Sequence, residues 1–309
     1  MIRGSIVALI TPFNSMGSLD IQLLRDLINF HMKSGTDGIL VSGTTGESPT
    51  LTPQERRALL EVAVEECGGE TTVIAGCGTN STVKAIELTR EALEIGATAG
   101  LSVCPYYNKP TQEGLYKHFM EIGDVGLPIV LYNVPGRTCV NMSPETVRRL
   151  SLHDNIVAIK EASGDIGQIK EILNTSRRGF SVLSGDDSLT FDVLKHGGSG
   201  VISVTANLLP GKVKEVIGKA IDGDWEAAGK LHDHLLPLHR GMFIETNPIP
   251  VKEALNLIGW SVGVPRLPLT KISKDGLTSL KRILSEYEAD IDKEHSPFLR
   301  QSAVKGRDV

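Results

Sequence analysis

The first residue that could do chemistry ends a short apolar run, Ile156–Glu161, which reads Ile-Val-Ala-Ile-Lys-Glu. Side chains alternate between the two faces of a strand, so Ile156, Ala158 and Lys160 are expected to share one face. Burial beside apolar side chains disfavours the charged ammonium and lowers its pKa, which makes the amine a nucleophile. On this stretch alone, the simpler interpretation is a lysine that marks a strand end and reaches water.

Hydroxyl and cationic side chains follow several other apolar runs: Thr44, Thr45, Ser48, Tyr106, Tyr107, Tyr132 and Arg137. Hydroxyls of Tyr and Thr beside an amine suggest a proton relay, although each tyrosine could equally fill the core with its hydroxyl paired. The Gly43–Gly46 turn could bind a carboxylate through backbone N–H groups, and Arg137 could hold a second one bidentately. A tight turn and a surface arginine are the alternatives. The set suggests Schiff-base chemistry on a keto acid.

These side chains need a scaffold that gathers strand ends. Eight β-rich runs alternate with helical stretches: Ser5–Ile10, Gly38–Ser42, Thr72–Cys77, Ala99–Cys104, Ile129–Val134, Ile156–Glu161, Phe180–Ser184 and Gly200–Val204. Their continuous apolar character indicates parallel strands that are buried on both faces. The count of eight favours a closed (β/α)8 TIM barrel over an open doubly wound sheet, with the active site at the carboxyl ends of the strands.

The chain changes character after the eighth unit. We expect residues 1–223 to form the barrel, residues 224–295 a small helical appendix, and residues 296–309 a polar, disordered tail. The helices expected in the appendix are Trp225–Met242, Pro250–Ile258 and Lys274–Ile291, with Gly259–Pro268 as an irregular connection.

Composition excludes several classes of protein. The 309 residues are 40% hydrophobic and 22% charged with a net charge of -5, which argues against nucleic acid or an anionic membrane as the main partner. No apolar run is long enough to span a bilayer and the start lacks signal-peptide form, so a cytoplasmic location is expected. The four cysteines form no C-x-x-C pair, and His232, His234 and His239 do not match a metal-ligand spacing, because positions i and i+2 do not share a helix face.

At the same positions the chain resembles the dihydrodipicolinate synthases, within the pyruvate-dependent class I aldolases. The matching runs are Gly43–Ser48, Pro105–Asn108, Tyr132–Thr138, Ile159–Ala162, Leu183–Asp187, Gly200–Asn207 and Asn247–Lys252. The lysine strand and the Gly-Thr-Thr-Gly-Glu turn belong to the wider aldolase group, whereas Tyr-Asn-Val-Pro-Gly-Arg-Thr is specific to the synthases. The similarity extends from about Gly4 to about Leu284.

The resemblance implies a role for each residue. Lys160 would condense with the ketone of pyruvate, while Thr44, Tyr132 and a Tyr107 from a neighbouring subunit would relay protons. Thr45 would hold the carboxylate of pyruvate and Arg137 that of aspartate semialdehyde, with Gly185 and Ile202 lining the site. The resemblance implies neither a cofactor nor a metal. It further implies a homotetramer, a dimer of tight dimers, that serves lysine and diaminopimelate synthesis.

Regulation is where the resemblance is weakest. Ser48, Asn80 and Tyr106 fit the site at which lysine-inhibited relatives bind the amino acid, but Lys84 stands where those relatives carry a glutamate. Pro53 and Arg56 stand where sensitive enzymes carry histidines. Because Lys84 would oppose the ammonium group of the ligand, we expect weak or absent feedback inhibition.

Two rival interpretations are left open. Another aldolase of the group, acting on N-acetylneuraminate or on 2-keto-3-deoxy sugar acids, would not need Arg137, because its substrate offers hydroxyls there. A non-catalytic binding or scaffold protein would not need Lys160, Tyr107, Tyr132, Thr44 and Arg137 together.

Overall fold

Eight parallel strands close into a barrel in chain order in the structure, a computed structural model that describes residues 1–305, with side chains through residue 299. The strands are β1 Gly4–Ala8, β2 Gly38–Val41, β3 Thr72–Gly76, β4 Ala99–Val103, β5 Ile129–Asn133, β6 Ile156–Glu161, β7 Ser181–Ser184 and β8 Gly200–Ser203. Strand β1 pairs with both β2 and β8, which confirms the (β/α)8 barrel and excludes the open sheet.

Helices surround the barrel and continue beyond it. They are α1 Ile21–Lys33, α2 Pro53–Cys67, α3 Thr82–Ile95, α4 Gln112–Gly123, α5 Pro135–Thr138, α6 Pro144–Leu150, α7 Ile166–Thr175, α8 Thr190–Lys195, α9 Pro210–Ile221, α10 Trp225–Gly241, α11 Ile249–Leu257, α12 Lys274–Ser285 and α13 Glu288–Lys305. No helix in the described part of the chain is long and apolar enough to cross a membrane.

Local sequence explains where helices begin. The Thr52 hydroxyl accepts a hydrogen bond from the Glu55 N–H, and the Glu55 carboxylate accepts one from the Thr52 N–H, so both ends of a capping box are satisfied. Pro53 occupies the first turn, where its missing N–H costs nothing. Ser143 caps α6 in a similar way, with Pro144 following it.

The barrel interior holds a compact apolar cluster. Strand side chains fill it in layers: Ile6, Ala8, Leu40, Ile74, Leu101, Val130, Ala158, Leu183 and Ile202. The expected alternation along β6 holds for Ala158 but fails at its start, because the register with β5 shifts between Ile129 and Val130. Ile156 therefore packs in the outer layer with Ile159, which corrects the sequence-based prediction that it shares a face with Lys160.

The C-terminal region departs from prediction at two points. The helix expected over Lys274–Ile291 is broken near Tyr287, whose side chain is buried and donates a hydrogen bond to the carbonyl of His234. The expected disordered tail is wrong for Ser296–Lys305, which continue α13. An apolar contact explains the helix, because the Phe298 ring meets the Phe30 ring edge-on at 5.1 Å. Residues 306–309 lie outside the described residues.

Candidate active site

Lys160 lies inside the barrel near its carboxyl-terminal mouth. Its neighbours across the sheet are Tyr132 on β5 and Leu183 on β7. The lysine is only 5% exposed, and its amine stands 4.5 Å from the centre of the Tyr132 ring. Burial lowers the pKa of the Lys160 ammonium to about 8; the negative charge of Asp187 opposes this shift and Arg137 adds to it. The amine is thus available in its neutral form near neutral pH.

A buried hydroxyl pair adjoins this amine. Tyr132 is 6% exposed, and burial raises the pKa of its phenol, while a nearby Arg137 and a hydrogen bond with the Thr44 side chain oppose the rise. Because both partners are hydroxyls, each can donate and accept, so a proton can pass along the pair. The structure therefore brings together Lys160, Tyr132 and Thr44, as predicted from their places at strand ends.

A second polar group connects Thr45 to Arg137. The Asn247 amide nitrogen donates to the Thr45 hydroxyl over 3.0 Å, and the Arg137 guanidinium donates to the Asn247 carbonyl over 3.3 Å. The Asn247 side-chain oxygen is buried and has no partner among the described residues. Asn247 was not predicted as a site residue, since it lies in the C-terminal region, more than two hundred positions from Thr45.

Gly185 lies against the Lys160 side chain, and Ile202 lies in the inner cluster of the barrel. A Cβ atom on Gly185 would lie 3.1 Å from the Lys160 Cε and 2.7 Å from the Ala162 Cβ, so only glycine fits there without displacement. Ile202 is 1% exposed and belongs to the same inner cluster as Tyr132. Gly185 thus leaves room beside the Lys160 side chain that a larger residue would fill.

Tyr107 does not join this group within the chain. It is 91% exposed, on a loop after β4, and its φ of +75° is a left-handed conformation that is uncommon for tyrosine. The side chain thus projects from the surface, away from the buried Lys160.

The family model for the dihydrodipicolinate synthetase family matches residues 1–287. The chain belongs to this family. The model ends just before α13, so this last helix lies outside the matched residues.

Relatives that carry the synthase name match this chain over nearly their whole length. The 4-hydroxy-tetrahydrodipicolinate synthase of Citrifermentans bemidjiense is 49% identical over 289 residues, which cover 93% of this chain and 99% of the relative. The crystal structure of dihydrodipicolinate synthase from Aquifex aeolicus matches with a TM-score of 0.91 at 48% identity, covering 94% of this chain and 99% of that one. The chloride-inhibited dihydrodipicolinate synthase from Acinetobacter baumannii, complexed with pyruvate, matches with a TM-score of 0.91 at 42% identity, covering 93% and 99%.

The residues predicted to bind free lysine as a feedback inhibitor share a cleft with part of the candidate active site. The cleft, of about 620 Å³, is lined by Thr44, Arg137 and Asn247, and also by Ser48, Lys84 and Tyr106. Asn80 adjoins it, since its amide donates to the Tyr106 carbonyl. Arg56 also lines the cleft and donates to the carbonyls of Ser48 and Gly76.

Two histidines that sequence reasoning separated come together in the structure. His232 and His239 lie two helical turns apart on α10, with ring centres 5.5 Å apart, and both are buried. Burial lowers the pKa of each imidazole. His232 and His239 are seven residues apart, about two helical turns, so they lie on the same helix face. That spacing could have indicated the pair from the sequence, whereas the i, i+2 spacing could not. Within the described residues, no group of three or more His, Cys, Asp or Glu side chains is placed to hold a metal.

Proposed function

We propose that this chain is a class I aldolase-type lyase that condenses pyruvate with L-aspartate 4-semialdehyde, as 4-hydroxy-tetrahydrodipicolinate synthases do. The observation that carries the proposal is the buried Lys160 amine, with its pKa lowered to about 8, beside the Tyr132–Thr44 hydroxyl pair. Names and sequences of the relatives support the same assignment. The reaction would be the first committed step of diaminopimelate and lysine biosynthesis, and a cytoplasmic location stays a prediction from the sequence.

The first half of the reaction would use Lys160 and the hydroxyl pair. The neutral amine attacks the keto carbon of pyruvate, and the resulting carbinolamine loses its hydroxyl as water, leaving an iminium that carries one positive charge. Tyr132, hydrogen-bonded to Thr44, can deliver the proton that the leaving hydroxyl needs and recover it later. Thr45, fixed by Asn247, would hold the pyruvate carboxylate.

The second half would use Arg137. Loss of a proton from the methyl group converts the iminium to an enamine, whose carbon attacks the aldehyde of the second substrate. Arg137 offers a fixed guanidinium for the carboxylate of that substrate, because the Asn247 carbonyl holds one of its nitrogens. The amine of the second substrate then displaces the Lys160 nitrogen as the ring closes, and the free lysine is regenerated.

Tyr107 would complete the relay in the site of a neighbouring subunit. Tyr107 is 91% exposed in one chain, and its left-handed backbone conformation is one that persists when the surrounding structure uses it. We therefore infer that the active form is an oligomer, a homotetramer built as a dimer of tight dimers. Loss of activity on dilution to monomers, with the fold intact, is the expected consequence.

The candidate lysine site would bind lysine poorly. Arg56 and Lys84 both line the cleft near Ser48 and Tyr106. An ammonium group of the bound lysine would be repelled by these two positive charges, which weakens binding.

An assay of product formation from pyruvate and aspartate semialdehyde tests the proposal. Wild-type enzyme is expected to turn over this pair and not N-acetylneuraminate or 2-keto-3-deoxy sugar acids, and Lys160→Ala is expected to be inactive. Arg137→Met is the matched control for substrate choice. It should raise the KM for aspartate semialdehyde by about 10-fold or more while pyruvate still forms its Schiff base. Preference for a sugar acid, or activity in Lys160→Ala, would overturn the assignment.

A further inference from the structure

Two buried polar residues next to Tyr132 and Lys160 take no part in the proposed reaction steps. Tyr132 of β5 is paired with Lys160 of β6, and the next residues of the two strands, Asn133 and Glu161, are paired in the same register. Successive side chains of a strand point to opposite faces, so Asn133 and Glu161 point out of the barrel. They are 0% and 1% exposed, and the Asn133 amide donates to the Glu161 carboxylate over 2.9 Å.

Asn133 also closes the loop that follows β5. Its side-chain oxygen accepts from the Met142 N–H over 3.0 Å, and its side-chain nitrogen donates to the Asn141 side-chain oxygen over 2.8 Å. We call residues 134–142 the Arg137 loop, because α5 with Arg137 lies within them. The Asn133 side chain therefore joins the two ends of this loop.

Glu161 determines which way the Asn133 amide points. One carboxylate oxygen accepts from the amides of Asn133 and Gln168, the latter at 3.3 Å, and the other accepts from the Ser163 N–H at 2.6 Å. Because both oxygens accept, the Asn133 nitrogen must face Glu161 and its oxygen must face the Met142 N–H. A reversed amide would place two acceptors together at Glu161 and two donors together at Met142.

We propose that Asn133 and Glu161 are positioning residues that act through Arg137: they hold the Arg137 loop closed and so place the guanidinium for the carboxylate of the second substrate. The inference rests on the role of Arg137 in the proposed function. The backbone of Arg137 depends directly on the start of the loop, because its N–H donates to the Val134 carbonyl over 2.9 Å. Bidentate binding of a carboxylate needs a guanidinium whose position is fixed, so a loosened loop weakens it.

The proposal predicts that the two substrates respond differently. Asn133→Ala opens the loop but leaves the inward side chains of Tyr132 and Lys160 in place. It should raise the KM for aspartate semialdehyde by about 5-fold, less than Arg137→Met does, while borohydride trapping of pyruvate at Lys160 keeps its wild-type rate. A merely structural role would impair both measurements.

A second variant keeps the shape of the pair. Glu161→Gln has one acceptor oxygen in place of two, so it cannot accept from Ser163 and Asn133 in their present arrangement. We expect the same selective rise in the KM for aspartate semialdehyde, by about threefold. The control is Asn155→Ala, just before β6 at the opposite end of the strand, where the amide donates to the Gly123 carbonyl over 3.0 Å. It should leave both measurements unchanged.

A double variant tests whether the effect passes through Arg137. In an Arg137→Met background, Asn133→Ala should raise the KM for aspartate semialdehyde no further, because the guanidinium that it displaces is already absent. Amide hydrogen exchange measured by mass spectrometry reports on the loop itself. Exchange in the peptide that covers residues 134–142 should be faster in Asn133→Ala than in wild type, whatever the substrate.

The outcomes separate this inference from the proposed function. An unchanged KM in Asn133→Ala with faster loop exchange overturns the inference, and so does an undiminished effect in the Arg137→Met background. Failure of both Asn133→Ala and Glu161→Gln to fold would assign the pair to the fold alone and also overturn it. If Arg137→Met itself leaves the KM unchanged, or wild-type enzyme traps no pyruvate, the proposed function is overturned instead.

Discussion

Two lysines are buried among residues 1–299, whose side chains the structure describes, and their surroundings separate structure from chemistry. Lys252 on α11 is 0% exposed; its amine pairs with Glu47 at 2.8 Å, donates to the Thr11 carbonyl at 3.0 Å, and lies 4.3 Å from the centre of the Phe13 ring. Lys160 is 5% exposed and lies a similar 4.5 Å from the Tyr132 ring, but no carboxylate of the described side chains is within ion-pairing distance. Burial lowers the pKa of both ammonium groups.

The difference lies in what meets the amine. Three oxygens accept from the Lys252 amine, including the Val264 carbonyl at 3.4 Å, and they favour its ammonium form, whose nitrogen has no lone pair. Glu47 in turn accepts from the Arg266 N–H at 2.8 Å, so the pair fastens α11 and the segment after it to the loop after β2. Burial disfavours the charged form of both lysines. A direct carboxylate partner keeps Lys252 charged, whereas Lys160 has none and can react as the neutral amine.

Replacing each buried lysine by methionine should show the largest difference between the two sites. Lys160→Met is expected to lower kcat by about 10⁴-fold or more, because no other group can form the Schiff base. Its free energy of unfolding should not fall, since the variant removes a buried charge without a direct partner. Turnover assays and urea denaturation measure the two quantities. A large loss of stability would show that the lysine is structural.

The same change at the other lysine should have the reverse result. Lys252→Met leaves the Glu47 carboxylate buried without its cation, which should lower the free energy of unfolding by about 3–5 kcal/mol. Adding Glu47→Gln should recover part of this loss, because the orphaned charge is removed. Urea denaturation of the single and double variants gives the answer, and equal stability of Lys252→Met and wild type would contradict the role given to the pair.

Tyr132→Phe tests the role of the hydroxyl group beside Lys160. The ring beneath the amine is kept and only the hydroxyl is lost, so kcat should fall by about 100-fold while the pyruvate Schiff base still forms. Thr44→Val should have a smaller effect of the same kind, because Thr44 acts through Tyr132. Single-turnover trapping beside steady-state kinetics distinguishes this from a loss of pyruvate binding, which would point to a packing role for Tyr132.

The smallest expected effect concerns charge in the neighbouring cleft. Millimolar L-lysine should inhibit the wild-type enzyme by less than about twofold, because Arg56 and Lys84 oppose its side-chain ammonium. The variant Lys84→Glu reverses one of the two charges and should become more sensitive, with Lys117→Glu, which carries the same charge change on α4, as the control. Clear inhibition of the wild-type enzyme would refute the expectation.

The sequence predicted much of this arrangement because the relevant signals are local. The limits of β6 were predicted correctly, and the place of Lys160 at the end of the sixth of eight strands put it at the barrel mouth. The shift in register that turns Ile156 outward leaves no such mark, since it depends on how β5 and β6 pair. The last helix was missed because only contact with Phe30 shows what Phe298 packs against.

The rest of the site depends on contacts between distant parts of the chain. Nothing near Lys252 in the sequence indicates that its partner is Glu47, and nothing near Asn247 points to Thr45. Lys252 ends one of the runs that carry the family resemblance, Asn247–Lys252, but its neighbours in the sequence do not predict that it is buried. Hydrophobic periodicity predicts which face of an element is buried. Whether a buried charge has a partner depends on contacts between distant parts of the chain, which the periodicity does not indicate.

Reductive trapping tests the contrast between the two lysines most directly. The enzyme is incubated with pyruvate, reduced with borohydride, digested and analysed by mass spectrometry, at a series of pH values. We expect one reduced pyruvate on the peptide that holds Lys160 and none on that of Lys252, with a trapping rate that rises up to a pH of about 8 and then levels off as the amine becomes neutral. An adduct on Lys252, or none on Lys160 at any pH, would contradict it.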